Sequence, residues 1–211
     1  MYFICFFLRS YLPLLISLGF LISLVGLRIL STGTFFYTFL IWNLFLAILP
    51  YAITQTALFY DSTKIRKSIK VIVFTLWLLL LPNAPYLITD IIHLHNPHSD
   101  WLWFDLFMVF AFACNGLVLY VLSLSDAVEL LRPSIPKKWI PMTILVICIL
   151  NGYGIYLGRF LRFNSWDIVF RPKYLVSQIL DSLTSPYVYL MTLAFGLFLS
   201  IIFALFRWFK Q

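Results

Sequence analysis

The chain has 211 residues, of which 63% are hydrophobic, 19% aromatic and 11% charged, with a formal net charge of +7. Soluble domains carry roughly 25% charged residues, so this composition and a mean hydropathy of +0.97 exclude a water-exposed globular domain. They also exclude disorder, collagen and a coiled coil; the bilayer sets the architecture.

The charges divide the sequence into uncharged stretches that can be measured against a membrane. A helix needs about 20 apolar residues to cross a hydrocarbon core of about 30 Å. Arg9 to Arg28 encloses 18 uncharged residues, Arg28 to Asp61 encloses 32, and Lys70 to Asp90 encloses 19. Asp105 to Asp126 and Lys138 to Arg159 enclose 20 each, and Asp181 to Arg207 encloses 25. The intervals predict an all-α polytopic integral membrane protein with six transmembrane helices, over 10–29, 35–58, 71–92, 105–125, 139–158 and 186–206. All six belong to a single transmembrane domain covering residues 1–211.

The first stretch reads as a span. Residues 1–8 are already apolar, the first basic residue is Arg9, and no small-x-small pattern ends the run as in a cleaved signal peptide. Pro13 suits the first turn of that helix. Asn43 in the second span and Asn115 in the fourth are lone polar residues, read as interhelical hydrogen bonds.

The third span runs apolar to Leu81 and then reads Pro82-Asn83-Ala84-Pro85-Tyr86. At 1.5 Å per residue, Pro82 lies roughly 17 Å from the start of the helix, past mid-bilayer. A proline removes a backbone donor and clashes with the preceding turn, so helix three is expected to break at Pro82–Pro85. Broken backbone at that depth must be enclosed by protein or line a water-filled cavity. Asn83 is placed to bond a carbonyl that the prolines free.

In the fifth span, Gly154 and Gly158 form a small-x-x-x-small pair that permits close helix approach. They would hold Arg159 and Arg162 firmly against a neighbour. The following connection is the longest in the chain. From Pro172 onward, Leu175, Val176, Ile179, Leu180 and Leu183 recur with helical period opposite Lys173, Ser177, Gln178 and Asp181. That pattern predicts an amphipathic helix over 172–183 lying at the membrane surface. Cys5, Cys114 and Cys148 sit in apolar runs with no Cys-x-x-Cys spacing, as packing thiols do.

Orientation follows the basic residues. The second and fourth connections and both termini hold ten basic residues against three acidic, and the other side holds five of each. The excess predicts cytoplasmic termini in a cytoplasmic membrane, with the whole +7 drawn to anionic lipid headgroups. Membrane lipids are the expected partners; nucleic acid is not needed to explain the charge.

In that topology all three histidines and five of the eight acids share the outer face. Ionisable residues at membrane depth are costly and point to function. Asp90 and His93 are three apart, on one helical face. Arg159 and Arg162 have the same spacing, which offers a fork for phosphate or carboxylate. The candidate catalytic residues are Asp90, His93 and Asp105, the anion-binding pair is Arg159 and Arg162, and Asn83, Asn164 and Asp167 support them. His93, His95 and His98 hold enough nitrogens for Zn²⁺, but loose spacing in an Asn-Pro loop favours solvated side chains, and no metal site is assigned. The cofactor, if the protein uses one, is left open by these residues. The chain has no His-Glu-x-x-His, no Gly-x-Ser-x-Gly and no P-loop.

The run from Leu81 to Leu94, Leu-Pro-Asn-Ala-Pro-Tyr-Leu-Ile-Thr-Asp-Ile-Ile-His-Leu, resembles the signature of a bacterial family of multi-pass membrane proteins catalogued as a domain of unknown function. Trp103-Phe104-Asp105 and the run from Gly158 to Asp167 resemble two further motifs of that family. The resemblance covers roughly helices two to six and implies a bacterial cytoplasmic-membrane protein, without implying a reaction. His95 and His98 fall outside its pattern.

The leading functional expectation is an outward-facing polar site that binds, and in the stronger form processes, an anionic headgroup such as a lipid-linked phosphate. Arg159 and Arg162 would hold the anion, Asp90 or Asp105 would act as general base, and His93 as acid or metal ligand. A transporter or channel component, and a non-catalytic membrane assembly partner, are the alternatives.

Overall fold

In lipid a spanning segment must satisfy its backbone N–H and C=O groups internally, and this sequence does so with helices. The structure is a computed structural model that describes residues 2–60, 66–94, 100–163 and 170–209, with side chains from Tyr11 onward. The helices are α1 (Tyr2–Thr32), α2 (Phe39–Phe59), α3 (Lys67–Leu80), α4 (Asn83–Tyr86), α5 (Leu102–Leu131), α6 (Ile140–Phe160), α7 (Pro172–Ser182) and α8 (Pro186–Phe209). A 3₁₀ segment, Leu87–His93, continues directly from α4. There is no strand among the described residues.

Among the described residues, six helical stretches are long and apolar enough to cross a membrane: Tyr11–Thr32, Phe36–Phe59, Lys67–His93, Leu102–Leu131, Lys137–Phe160 and Pro186–Phe209. The protein is therefore a multi-pass membrane protein. Six antiparallel crossings return the chain to the end where it began, called the terminus end below; the opposite end carries Asp90 and Asp105.

The hub of the bundle is α5. Half of its spanning window is buried inside the protein, against 22–33% for the other five spans. Phe112, Leu119, Tyr120 and Leu124 are fully buried along it. Lipid-facing positions stay apolar, as with Leu30, Trp103 and Ile72, because hydrocarbon replaces water there.

Without a hydrophobic drive between helices, packing rests on close approach and interhelical hydrogen bonds. The α6–α8 contact closes on Gly152 and Gly196. A Cβ at Gly152 would collide with the Thr192 carbonyl oxygen, and one at Gly196 would meet the Ile149 Cα at 2.8 Å. Between other helices Trp77 Nε1 donates to Ser123 Oγ at 2.8 Å, and the Ser17 hydroxyl bonds Asn115. Nearer the terminus end, Tyr11 donates to Gln55 Oε1 at 2.5 Å, and Asp126 Oδ2 accepts from Gln55 at 2.7 Å and Thr54 at 3.0 Å.

The third span breaks where the prolines stand. Helix α3 ends at Leu80, a turn carries Leu81 and Pro82, and α4 restarts at Asn83. The Asn83 amide donates to the Leu80 carbonyl at 2.9 Å, taking up one acceptor at the interruption. Protein encloses the broken segment on two sides. On α5, a Cβ at Gly116 would strike the Ala84 carbonyl oxygen. On α6, one at Gly154 would meet Pro82 Cγ at 2.5 Å, and one at Gly158 would approach Tyr86 at 3.1 Å. The small-residue pair in α6 is thus the seat of the break.

Helix α7 leaves Val176, Leu180 and Leu183 exposed and buries Leu175 and Ser182 against the bundle. Its anchors are the Tyr153–Ser182 hydroxyl pair at 2.9 Å and the Phe163–Tyr174 ring contact at 5.6 Å.

Candidate functional site

The site begins with the 3₁₀ segment. At 3.0 residues per turn, positions three apart eclipse, so Leu87, Asp90 and His93 stand in one row. Leu87 and Asp90 are buried, while Ile91 and Ile92 face outward at half exposure. Asp90 is 0% exposed, and a buried carboxylate needs partners. One oxygen, Oδ2, accepts from the Asn43 amide of α2 at 2.9 Å. The other, Oδ1, lies 3.6 Å from Arg159 Nη1, an ion pair beyond hydrogen-bond length.

Arg159 comes from the last turn of α6. Its Nη1 also approaches the Tyr86 hydroxyl at 3.3 Å and His93 Nε2 at 3.2 Å, and its guanidinium carbon sits 5.7 Å from the Tyr86 ring centre. A guanidinium has no acceptor, so His93 Nε2 receives this bond and the ring proton belongs on Nδ1. The His93 ring is wedged edge-on against Phe39 at 4.9 Å and Phe36 at 6.4 Å. Asp90 Oδ1 and Arg159 Nη2 are buried without a hydrogen-bond partner among the described residues. Buried polar groups are seldom left so, each costing about 1–3 kcal/mol.

A cavity of about 340 Å³ lies between α2, the α3–α4 break, α6 and α7; Asp90 and Arg159 do not line it, but partners of theirs do. Asn43 and Tyr86, the partners of Asp90 and Arg159, line it together with Asn83 and Tyr153; Leu46, Leu78 and Leu157 supply apolar wall. Trp42, Leu79 and Leu150 form part of the same lining and are also exposed on the outside of the bundle. The cavity thus has a polar end at the break and an apolar flank toward lipid.

Asp105 stands elsewhere in the network. From the first turn of α5 it is held by Arg28 of α1 through Nε–Oδ1 at 2.5 Å and Nη2–Oδ2 at 3.0 Å, both residues buried. Trp101 and Tyr37 flank that guanidinium at 5.6 and 5.7 Å. Both Asp105 oxygens are thus held by one cation in this geometry.

The expected arginine fork does not form. Helix α6 ends at Phe160, the Phe163 N–H folds back to the Leu157 carbonyl at 3.1 Å, and Arg162 takes a left-handed φ of 56°. Arg159 therefore turns into the bundle while Arg162 is exposed. Asn83 serves the break and the cavity wall. Asn164, Asp167, His95 and His98 lie outside the described residues, and among the described residues no three His, Cys, Asp or Glu side chains group as a metal site would.

Two members escaped assignment from the sequence. Asn43 is an interhelical bond, as expected, but its acceptor is the candidate base. Arg28, counted among the basic residues of the outer side, is the partner of Asp105. The only sequence signal for either was a polar residue standing alone in an apolar span.

A bundle of six apolar helices long enough to span a membrane defines the class: an α-helical multi-pass membrane protein. The chain belongs to the family described as protein of unknown function (DUF1361), whose family model matches residues 42–202. That range contains Asn43, Asp90, His93, Asp105 and Arg159 and leaves out Arg28. Comparison with curated proteins finds no match, and comparison with solved structures finds none.

Proposed function

We propose that the Asp90–Arg159 site binds the anionic headgroup of a membrane lipid, a lipid-linked phosphate being the class that fits. The observation that carries this reading is the buried Arg159 Nη2, without a hydrogen-bond partner among the described residues, beside Asp90 Oδ1 in the same state. An anion at Nη2 gains a charge-assisted hydrogen bond in a low-dielectric setting. The cavity of about 340 Å³, with Asn43, Asn83 and Tyr86 at its polar end and an apolar flank open toward lipid, suits a headgroup joined to a hydrocarbon tail.

In the enzymatic form of this reading, Asp90 is the general base and His93, with its proton on Nδ1, the acid or orienting group. Arg162 at the exposed end of α6 guides the anion inward, and Asp105 secures α5 through Arg28. Proton-transfer groups of this kind contribute typically 10²–10⁴-fold. A transporter has less to draw on: the polar groups toward the terminus end, Trp77 with Ser123 and Thr54 with Asp126, are bonded to each other and line no polar path.

The test is native mass spectrometry of delipidated protein in detergent, titrated with a polyprenyl monophosphate and, separately, with the matching polyprenyl alcohol. The phosphate is expected to be retained over the alcohol. Arg159→Ala is expected to lower that retention about tenfold or more, the worth of a charge-assisted hydrogen bond. Equal retention of alcohol and phosphate overturns the proposal.

A further inference from the structure

A second cavity, of about 560 Å³, lies between α2, α3 and α5 near the terminus end. Its walls are almost wholly hydrocarbon: Leu49, Ile53, Phe74, Trp77, Ala127 and Leu130. The polar residues that line it are Thr54, Thr56, Tyr60, Lys70 and Ser134. Two of these are already engaged, Thr54 with Asp126 and Thr56 with the Ala52 carbonyl. Lys70 has no ion pair among the described residues.

The charge around that mouth has one sign in excess. Lys70 belongs to the first turn of α3, next to Arg66 and Lys67, and all three are exposed. Across the opening, Arg132 adjoins the lining residues Leu131 and Pro133 and is also exposed. Glu129 is the exposed acid of the facing segment, and Asp126 is occupied by Thr54 and Gln55. An apolar chamber beneath a cationic mouth matches an amphiphile with a long hydrocarbon chain and an anionic head.

We propose that this cavity is a binding site for an anionic phospholipid, one acyl chain between Phe74, Trp77 and Leu130 and the headgroup phosphate on Lys70. The site is independent of the Asp90–Arg159 pair and belongs to the opposite end of the bundle. Under the basic-residue orientation it draws its lipid from the cytoplasmic leaflet, where anionic headgroups attract lysine. Its occupant fills the seam that holds the unbroken half of the third span against α2 and α5, so binding stabilises the folded state by mass action.

The experiment uses the full chain, delipidated in detergent and titrated with phosphatidylglycerol or phosphatidylcholine of the same acyl chains, with bound lipid counted by native mass spectrometry. One phosphatidylglycerol is expected to be retained in preference to phosphatidylcholine, with a rise in unfolding temperature. Lys70→Gln is expected to weaken its retention about five-fold, and Ala127→Phe, which fills the chamber, to reduce both lipids. In Arg159→Ala, where the headgroup site is disabled, one phosphatidylglycerol is still expected to be retained and to be weakened by Lys70→Gln, which separates this site from the headgroup site. Equal retention of the two lipids by the unsubstituted protein overturns the proposal, even if every variant misfolds. Unchanged retention in a folded Lys70→Gln protein, or its loss in Arg159→Ala, also overturns it.

Discussion

Arg28 of α1 and Asp105 of α5 meet through two hydrogen bonds, at 2.5 and 3.0 Å, across 77 residues of sequence and with both side chains buried. The pair ties the first span to the hub helix at the end where Asp90 lies. Among the described residues Arg28 Nη1 has no hydrogen-bond partner, and the guanidinium is bound along one edge. Removing one member strands a buried charge, which costs about 3–5 kcal/mol, whereas replacing both with apolar residues of similar volume is often neutral. Arg28→Met or Asp105→Leu alone is therefore expected to lower the unfolding temperature in detergent sharply, and the double variant to recover most of the loss. Additive losses in the double variant would mean that the two residues do not act as a pair.

The broken segment depends on the absence of side chains opposite it. A Cβ at Gly116 would strike the Ala84 carbonyl oxygen and come within 2.9 Å of the Leu87 side chain. The carbonyl is backbone and cannot rotate away as a side chain would. Gly116→Ala is expected to destabilise the protein by about 1–3 kcal/mol through overpacking, and Gly154→Val to cost at least as much because Pro82 is rigid. Gly19, where a Cβ meets nothing within 4 Å, supplies the control: Gly19→Ala leaves stability unchanged or raises it. Thermal unfolding of the three variants checks the order.

Much of this arrangement could be read before the structure. The six spans follow from the spacing of charges, because a charge inside hydrocarbon is too costly to occur at random. The break follows from the missing donors of Pro82 and Pro85, and Gly154 with Gly158 marks close packing, here against that break. Partnerships over long separations could not be read: Arg28 with Asp105, and Asn43 with Asp90, arise only when four spans are laid side by side. Helical spacing also suggested that Arg159 and Arg162 would point together. The helix stops between them, and the left-handed backbone at Arg162 has no signature in a residue that costs roughly 1–2 kcal/mol there.

Orientation is open to a direct check. A version of the protein lacking Cys5, Cys114 and Cys148 can carry a single cysteine at Asp100, beside the start of α5, or at Ser134, beside its end. Under the basic-residue bias, a membrane-impermeant thiol reagent labels the first in intact cells and the second only after permeabilisation. The reverse pattern would place the Asp90 end in the cytoplasm and move the source of any headgroup to the inner leaflet.

Asp90 offers a way to separate binding from chemistry. Asp90→Asn keeps the size of the side chain and one acceptor oxygen while removing the negative charge opposite Arg159. The anion then competes with no carboxylate for the guanidinium. Retention of the polyprenyl monophosphate is expected to stay level or rise, while any turnover that uses Asp90 as base falls at least a hundredfold. Loss of retention in a folded Asp90→Asn protein would show that the carboxylate orients Arg159 and that binding and the ion pair are one structure.

The change to 3₁₀ geometry at Leu87, just past the two prolines, sets which way Asp90 and His93 point. An α-helix turns 100° per residue and a 3₁₀ helix 120°. From Leu87 onward, each residue of the 3₁₀ segment therefore gains about 20° over a continued α-helix, about 60° at Asp90 and about 120° at His93. Straightening the third span would swing His93 out of the row it shares with Leu87 and Asp90 and away from Arg159. Pro82→Ala alone leaves Pro85, which still denies the Leu81 carbonyl its helical donor, so the interruption and the site are expected to persist. In Pro82→Ala with Pro85→Ala both donors return and nothing enforces the break except the clasp of Gly116, Gly154 and Gly158. The double variant is expected to remain folded, with an unfolding temperature near that of the single variant, and to lose most of its retention of the polyprenyl monophosphate. Retention at the level of the unsubstituted protein would show that glycine packing on α5 and α6, and not the missing backbone donors, holds the segment in its 3₁₀ form.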